Sequence, residues 1–289
     1  MSSRHDPSTR TNQSKAGAYR FAVLALLVLL VGVAANAQTC STSITACGCA
    51  IKSAGTYTVN ANLTASQGLL SDGACIDVSA SNVKLLTNGY NITGHGTGIG
   101  IHLLSGKKTI VLSAAGPQST YTTISGWQYG VESQAQSVVS EGFYYENNST
   151  GLFLNAAVSN SFGCLGSFDN TVYGIWIAGG SGNQIDYSGV WDNGVAGIYL
   201  GCSATGPTGT ACNGSGNASD SNFVFGVLSY TTVAESYGLV VENGSTGNAL
   251  MDNQFFSNTI DDVYDGNATS SSNLWHSNLF TTANKSYIN

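Results

Sequence analysis

The central part of the chain repeats itself at a fixed step of 23 residues. Three segments start with glycine at Gly151, Gly174 and Gly197, and each continues with an aliphatic, an aromatic and a second aliphatic residue. Looser copies lie on both sides of these three. A repeat of this length, with a glycine–aliphatic strand start and recurrent asparagine, is typical of a solenoid in which each unit is one coil stacked on the previous one. The sequence therefore predicts the architecture of the protein more directly than its chemistry.

The first 37 residues have the composition of a secretory signal peptide. Basic side chains at Arg4, Arg10, Lys15 and Arg20 precede an apolar run over residues 21–33, and an Ala-Asn-Ala sequence ends the segment. The apolar run of 13 residues is shorter than the roughly 20 residues of a membrane-spanning helix. We expect cleavage at the end of this segment and export to the periplasm, the cell surface or the medium, with no membrane span after cleavage. An uncleaved anchor is the alternative.

Removal of this segment leaves a chain without arginine. Four of the 9 basic residues and one of the 16 acidic residues lie in the segment, so five lysines face fifteen carboxylates in the mature chain. This balance argues against nucleic acid, anionic lipid or an acidic polymer as the main partner. Low total charge with abundant glycine, asparagine, serine and threonine is typical of a secreted β-solenoid, whose tight turns need residues that tolerate unusual φ and ψ angles.

The seven cysteines predict disulfide bonds, because an exported chain meets an oxidising compartment. Cys202 and Cys212 lie within a loop-like insertion at residues 201–221, and we expect them to be bonded to each other. Cys164 is expected to be a small buried side chain inside a coil. The remaining cysteines are expected to staple an N-terminal cap at about residues 38–64, with their pairing left open: Cys40, Cys47, Cys49 and Cys75.

Strand alternation separates inward-pointing from outward-pointing side chains in each coil. Aliphatic residues flank Phe153, Trp176 and Tyr199 on both sides. If the aliphatic residues enter the core, the three aromatic residues point outward and form an exposed strip one coil apart. The same outward position in other coils is occupied by Asp77, His102, Glu132, Val240 and Tyr264.

A second aromatic column accompanies the repeat, and the sequence leaves its direction open. Its members are Tyr145, Phe168, Trp191, Tyr230 and Phe256. Stacked aromatic rings stabilise any parallel coil, so a purely structural ladder is the alternative interpretation of both aromatic sets.

A carboxylate stands at the same 23-residue step in three coils, at Glu146, Asp169 and Asp192. Carboxylates stacked at strand spacing repel one another, so a bound cation, a raised pKa or open solvent must relieve them. A solvated turn is the ordinary explanation of this pattern. Nearby asparagines are expected to form a hydrogen-bonded ladder along the turns: Asn147, Asn170, Asn193 and Asn258. The dispersed histidines, His95, His102 and His276, are interpreted as incidental surface or packed residues.

Residues 92–101, with the sequence Ile-Thr-Gly-His-Gly-Thr-Gly-Ile-Gly-Ile, and the recurring Asn…Asn…Gly-Ile blocks resemble right-handed parallel β-helix proteins of the pectin-lyase-like superfamily. The preceding Asn-Leu-Thr, Cys-Ile-Asp-Val and Asn-Gly-Tyr-Asn-Ile blocks resemble the first coils of many exported bacterial members. Together with the repeat, this resemblance implies an all-β, single-stranded right-handed parallel β-helix over residues 38–289, with about ten coils of roughly 23 residues.

The enzyme signatures of that superfamily are largely absent from this chain. Its pectate lyases use an arginine as the base, and the mature chain contains none. Its polygalacturonases carry an Asp pair before a Gly-His-Gly and then an Arg-x-Lys, whereas here His95 comes far before Asp261 and Asp262, and no Arg-x-Lys exists. Its copper-delivery members need a soft ligand set, which the single mature methionine, Met251, does not provide.

The sequence therefore favours an exported protein that binds an extracellular or cell-surface polysaccharide through outward aromatic side chains, since sugar rings present an apolar face that can stack on them. The residues expected to bind the polysaccharide are Phe153, Trp176, Tyr199, Tyr264 and Trp191.

Two other functions stay open at this point. One is a polysaccharide-active hydrolase or lyase that uses two of the carboxylates Glu146, Asp169 and Asp192, which would lie about 5 Å apart on adjacent coils, as in a retaining pair. The other is a structural envelope or adhesion protein without a small ligand. No organic cofactor is expected, Ca²⁺ bound by the same three carboxylates is an option, and the oligomeric state is left open.

Overall fold

The computed structural model describes residues 38–116, 119, 121–202, 212, 219–232 and 235–289. The expected signal peptide and most of the loop insertion at residues 201–221 lie outside these residues. In the described part, regular structure is almost entirely parallel β-strand, with a 3₁₀ helix at Ala65–Gln67. In the same part, no helix has the length and apolar character needed to cross a membrane.

Three parallel sheets, named here A, B and C, form the walls of the solenoid, and successive strands of the chain belong to A, B and C in turn. The strands of sheet A are Gln38–Thr39, Cys49–Ile51, Ala74–Val78, Ile99–Leu103, Tyr129–Ser133, Thr150–Asn155, Tyr173–Ala178, Ala196–Leu200, Tyr237–Val241 and Asp261–Asp265. The strands of sheet B are Ser43–Ile44, Gly55–Val59, Val83–Leu86, Lys108–Ser113, Gln136–Glu141, Ser161–Gly163, Gln184–Asp186, Phe223–Phe225, Ala249–Met251 and Leu274–His276. The strands of sheet C are Leu63–Thr64, Ile92–Thr93, Thr122–Ser125, Phe143–Glu146, Gly166–Phe168, Gly189–Trp191, Leu228–Tyr230, Gln254–Phe256 and Leu279–Phe280.

This topology confirms the predicted parallel β-helix, although the number of coils differs slightly from the prediction. Sheets A and B have ten strands and sheet C has nine within the described residues, because the first coil passes from sheet B back to sheet A without a strand in sheet C. The predicted core is also confirmed: Leu152, Ile175 and Ile198 are paired from coil to coil and have no exposed surface.

The glycine that starts each repeat marks a place where adjacent coils approach closely. A methyl group on Gly151 would lie 2.7 Å from the carbonyl oxygen of Gly174, and one on Gly174 would lie 2.6 Å from that of Gly197. Contacts this short exclude a Cβ atom, so the repeat unit needs glycine at this position for steric reasons. The sequence feature that revealed the solenoid is thus a direct consequence of how tightly its coils stack.

An asparagine ladder follows the turn between sheets C and A. The Asn170 Oδ1 atom accepts hydrogen bonds from the backbone N–H and from the Nδ2 of Asn148, at 3.0 and 3.1 Å. Its own Nδ2 donates to the Tyr145 carbonyl at 3.1 Å and to Asn193 Oδ1 at 2.9 Å. Each amide therefore satisfies buried polar groups of two coils at once, which a buried turn requires. A second ladder follows the turn before sheet B: Asn160, Asn183, Asn222, Asn248 and Asn273.

The ladder confirms the predicted roles of Asn170 and Asn193, whereas the prediction for Asn147 was wrong. Asn147 is exposed with a φ of 54°, and the neighbouring Asn148 occupies the ladder position. The reason is that Asn148 and Asn170 are 22 residues apart, one fewer than the repeat step on which the prediction was based. Asn258 bonds within its own turn, where its Nδ2 donates to Asp262 Oδ1 at 3.0 Å.

The predicted bond between Cys202 and Cys212 is present. The prediction for Cys164 was wrong, because its side chain is exposed at a left-handed turn position with a φ of 50°. The pairs at the N-terminal end join successive coils across sheet A and its preceding turn: Cys40 with Cys49 and Cys47 with Cys75.

Replacement of Asn170 by alanine is expected to lower the free energy of unfolding by about 3 kcal/mol, because it removes the buried acceptor of the Asn148 backbone N–H and the buried donor to the Tyr145 carbonyl and Asn193 Oδ1. Urea denaturation of the two proteins measures the change. The matched control is Asn147→Gly, which sits in the adjacent exposed turn at a φ that glycine adopts without strain. Equal stability of N170A and N147G would contradict the ladder's structural importance.

Candidate functional site

The aromatic strip predicted on the outer face of sheet A is present in register but is not exposed. Phe153, Trp176 and Tyr199 are paired from strand to strand. Their exposed fractions are only 6%, 7% and 0%. The prediction of an exposed strip was therefore wrong, and these three rings are not available as a sugar-stacking surface.

These rings are buried because other side chains of sheet A cover them. The Tyr173 ring stacks on Tyr199 at a centroid distance of 4.6 Å and lies 5.5 Å from Trp176. Tyr129 lies 4.7 Å from Phe153, and the indole Nε1 of Trp176 donates to the Gly201 carbonyl at 2.8 Å. The result is a second, smaller hydrophobic core on the outside of the sheet. Tyr264, also expected to bind polysaccharide, is half-buried at its edge beside Tyr237.

The exposed aromatic surface lies on sheet C instead. It is a continuous row of rings over five coils, named here the sheet C column: Tyr121, Tyr144, Phe168, Trp191 and Tyr230. Successive ring centroids are 4.4, 5.9, 4.6 and 5.9 Å apart, and all pairs are stacked except the edge-on pair in the second step. The two end residues, Tyr121 and Tyr230, are 38% and 42% exposed, and the middle three are partly exposed.

Two glycines give the rings of the sheet C column room to lie against the sheet. A methyl group on Gly166 would come within 2.8 Å of the Tyr144 ring, and one on Gly189 within 2.5 Å of the Trp191 indole. The rings thus occupy the space that side chains would fill at these positions. Side chains at these two positions would therefore displace the Tyr144 and Trp191 rings.

The structure corrects the membership of the second aromatic column by one residue. Tyr145, predicted as its first member, is fully buried in the interior, and Tyr144 takes the outward position. Phe168 and Trp191 are paired across sheet C as predicted, but Phe168 faces Glu146 in the preceding coil. The cause is the same 22-residue step that shifts the asparagine ladder, since Tyr145 pairs with Ser167. Phe256 follows Tyr230 in register and is partly exposed.

The three carboxylates considered as catalytic or Ca²⁺-binding residues do not share one column. Asp169 and Asp192 occupy equivalent left-handed turn positions, with φ values of 54° and 55°, whereas Glu146 lies within a strand opposite Phe168. Asp192 accepts hydrogen bonds from both hydroxyls of Thr231 and Thr232, at 3.1 and 2.8 Å. The predicted three-carboxylate stack is wrong, and a catalytic or Ca²⁺-binding role of these residues stays a prediction.

A cluster of polar residues at the N-terminal end of sheet A was missed by the sequence interpretation. Asp77, His102 and Glu132 face one another on adjacent strands, on the outer side of the sheet. The Nδ1 atom of His102 lies 3.1 Å from Asp72 Oδ2 and 3.4 Å from Asp77 Oδ1. The sequence had placed three of these residues at the same outward position. Asp72 lies in the turn before the strand, where the sequence repeat does not predict the position of a side chain, so the sequence could not assign Asp72 to this cluster.

Burial and charge act in opposite directions on this cluster. Burial alone would lower the pKa of His102, but contacts with the Asp77 and Asp72 carboxylates and the charge of Glu132 outweigh burial and raise that pKa. For Asp72, burial would raise the pKa, but hydrogen bonds from the Ala74 backbone and from His102 outweigh it and lower the pKa. A raised pKa of the histidine and a lowered pKa of its partner are what an ion pair produces.

A buried carboxyl group, Glu235, ends the asparagine ladder. Asn193 Nδ2 donates to Glu235 Oε1 at 3.4 Å, and Oε2 has no hydrogen-bond partner although the residue has no exposed surface. Burial is the main cause that raises the pKa of Glu235 to about 8, and the charge of Asp192 adds to it, against hydrogen bonds from Asn193 that lower it. At neutral pH the group is therefore mostly protonated and can continue a ladder of uncharged amides.

No protein-family model matches the chain, and no curated protein matches it. Solved structures that are similar to it include the following two. The crystal structure of an alginate lyase from a Paenibacillus species is 16% identical, with 78% of this chain and 69% of that chain covered and a TM-score of 0.48. The crystal structure of the Dettilon tailspike protein is 13% identical, with 76% and 46% covered and a TM-score of 0.52, so this chain spans about half of that protein. The likeness to the tailspike protein concerns the fold alone, and it agrees with the predicted parallel β-helix.

The replacement Glu235→Gln is expected to remove a loss of stability that accompanies rising pH between about 4.5 and 8. Between the unfolded pKa of 4.5 and the folded pKa of about 8, the unfolded chain releases a proton that the folded chain keeps. Stability therefore falls with rising pH in this window, by up to about 1.4 kcal/mol per pH unit, and the neutral amide has no such dependence.

Urea denaturation between pH 5 and pH 9 tests this expectation on the wild type and E235Q. The control is Glu141→Gln, which removes an exposed carboxyl group and should leave the slope unchanged. Identical pH profiles of the wild type and E235Q would show that Glu235 is already charged in the folded protein.

Proposed function

We propose that the protein is an exported polysaccharide-binding protein, and that a neutral polysaccharide chain lies along the sheet C column. The observation that carries the proposal is the continuous row of partly exposed rings from Tyr121 to Tyr230. The three disulfide bonds support an oxidising location outside the cytoplasm.

The shape of the column suits an extended polymer better than a small molecule. Five coils separated by about 4.8 Å give a row roughly 20 Å long, which several sugar residues can follow. Tyr121 and Tyr230 are 38% and 42% exposed and the rings between them are partly exposed, so a polymer can reach the column from the side. Apolar surface that is continuous and exposed on a monomer commonly marks an interaction site.

The charges near the column favour a neutral polymer over an acidic one. Glu146 is a neighbour of Phe168 in sheet C, and the exposed Asp169 follows that ring directly. Carboxylates accept hydrogen bonds from sugar hydroxyls but repel uronate groups. The mature chain contains no arginine that could compensate a uronate.

The replacement Trp191→Ala is expected to weaken polysaccharide binding about fivefold or more, because one ring stack contributes on the order of 1 kcal/mol. Trp191 contacts Phe168 on one side and Tyr230 on the other, so its removal also separates Tyr230 from the other rings of the column. Affinity electrophoresis in gels that contain mixed-linkage β-glucan, mannan or alginate measures the change as a loss of retardation.

The matched control is Tyr187→Ala, which removes an exposed ring that lies outside the column, beside Phe225. It should bind like the wild type. Thermal melting of both variants separates loss of binding from loss of folding. The proposal fails if the wild type is not retarded in either neutral gel, or if Y187A and W191A lose retardation equally.

A further inference from the structure

The polar cluster on sheet A brings three metal-ligand atoms of different coils together. One ligand atom each from Asp72, Asp77 and His102 lies within 4.8 Å of the other two. The aspartates come from one coil, in the turn before Ala74–Val78 and in that strand, and the histidine comes from Ile99–Leu103 of the next coil. We propose that these three side chains form a binding site for a divalent transition-metal ion, for which zinc is the best fit.

Hydrogen bonding within the protein leaves this cluster incompletely satisfied. The Nδ1 of His102 can carry only one proton, and it makes its hydrogen bond to Asp72 Oδ2 at 3.1 Å. Asp77 Oδ1, 3.4 Å from the same nitrogen, is buried and has no hydrogen-bond partner. Asp77 and His102 are only 9% and 7% exposed, so water reaches them poorly. A cation shared by the three ligand atoms would satisfy both aspartates at once.

The measured separations fit the coordination sphere of zinc. Tetrahedral zinc with bonds of about 2.0–2.2 Å holds its ligand atoms roughly 3.3–3.5 Å apart. The two distances from His102 Nδ1, 3.1 and 3.4 Å, are close to these values, and the two aspartate oxygens lie within 4.8 Å of each other. Calcium is a poorer fit, because it takes six to eight oxygen ligands at longer distances and imidazole favours zinc and its neighbours in the periodic table.

Glu132 strengthens the proposed metal site although it is not one of the three ligands. It follows His102 in register on the next strand, and its charge acts on the imidazole. Its Oε1 accepts hydrogen bonds from Gln134 Nε2 and Asn155 Nδ2, each at 3.0 Å, which hold the carboxylate in place. The proposed site thus has three protein ligands, with the carboxylate of Glu132 held beside them. A fourth coordination position remains for water or a ligand oxygen.

This site is independent of the polysaccharide-binding proposal. It lies on sheet A, whereas the aromatic column lies on sheet C, and the two share no residue. Metal binding can therefore succeed or fail without any change in polysaccharide binding.

Isothermal titration of the untagged, chelator-treated wild type with ZnCl₂ tests the proposal. We expect one zinc ion per chain with micromolar or tighter affinity, and no displacement by millimolar Ca²⁺. Asp77→Asn and His102→Gln should each weaken zinc binding by about tenfold or more, because each removes a ligand. The control Asp252→Asn removes an exposed carboxylate in a turn remote from the cluster and should bind zinc like the wild type.

A second measurement on the wild type does not depend on the folding of variants. Substitution with Co²⁺ should give the intense visible absorption of a four-coordinate ion, and zinc should abolish it. Zinc should also raise the melting temperature of the wild type and of D252N but not that of D77N. Absence of stoichiometric zinc binding, binding that D77N and H102Q leave unchanged, or preference for Ca²⁺ over zinc would overturn the proposal.

Discussion

The close vertical stacking of coils is the constraint on which the rest of the structure depends. Parallel strands place equivalent residues of adjacent coils about 4.8 Å apart, so every position of the repeat meets its own copy. At Gly174 this leaves no space for a side chain beside the Gly197 carbonyl. At Asn170 it allows one amide to satisfy groups of both neighbouring coils. Steric exclusion and amide ladders together fix the register of the sheets and therefore the position of every outward-pointing side chain.

The same stacking produces two sets of aromatic residues, of which one is buried and the other is partly exposed. On sheet A, a tyrosine from the start of a strand covers the outward rings, as Tyr173 covers Tyr199, and the rings become an external hydrophobic core. On sheet C, Gly166 and Gly189 have no side chain, so the aromatic rings can pack directly against the strands. Nothing in the described part of the chain encloses these rings. The difference comes from neighbouring side chains and not from the aromatic residues themselves. As a result, the partly exposed aromatic surface lies on sheet C and not on sheet A.

The acidic side chains of this protein are stabilised in different ways. Glu235 lies at the end of an uncharged amide ladder and its pKa rises to about 8, so protonation relieves it. The carboxylate of Asp262 accepts hydrogen bonds from the backbone N–H groups of Thr281 and Thr282, which stabilise it within the turn. The exposed Asp72 and the buried Asp77 both lie near the Nδ1 atom of His102, at 3.1 and 3.4 Å. Because the chain has few basic residues, protonation and hydrogen bonds stabilise its acidic groups in place of the surface ion pairs of more highly charged proteins.

The sequence alone determined the parallel β-helix, the inward set of Leu152, Ile175 and Ile198 and the Cys202–Cys212 bond, because these follow from periodicity and from loop closure over a short segment. It also identified the aromatic set of sheet A, three rings of the sheet C column (Phe168, Trp191 and Tyr230), and the shared outward position of Asp77, His102 and Glu132. Only the tertiary structure decided which rings are covered, since Tyr173 and Gly201 reach Trp176 through contacts that no repeat records. It also decided the 22-residue step that moves Tyr145 inward and separates Glu146 from Asp169, and the approach of Asp72 to His102. Alternation specifies the direction of a side chain, but its exposure and its partners depend on the lengths of turns and on the side chains of the neighbouring coils.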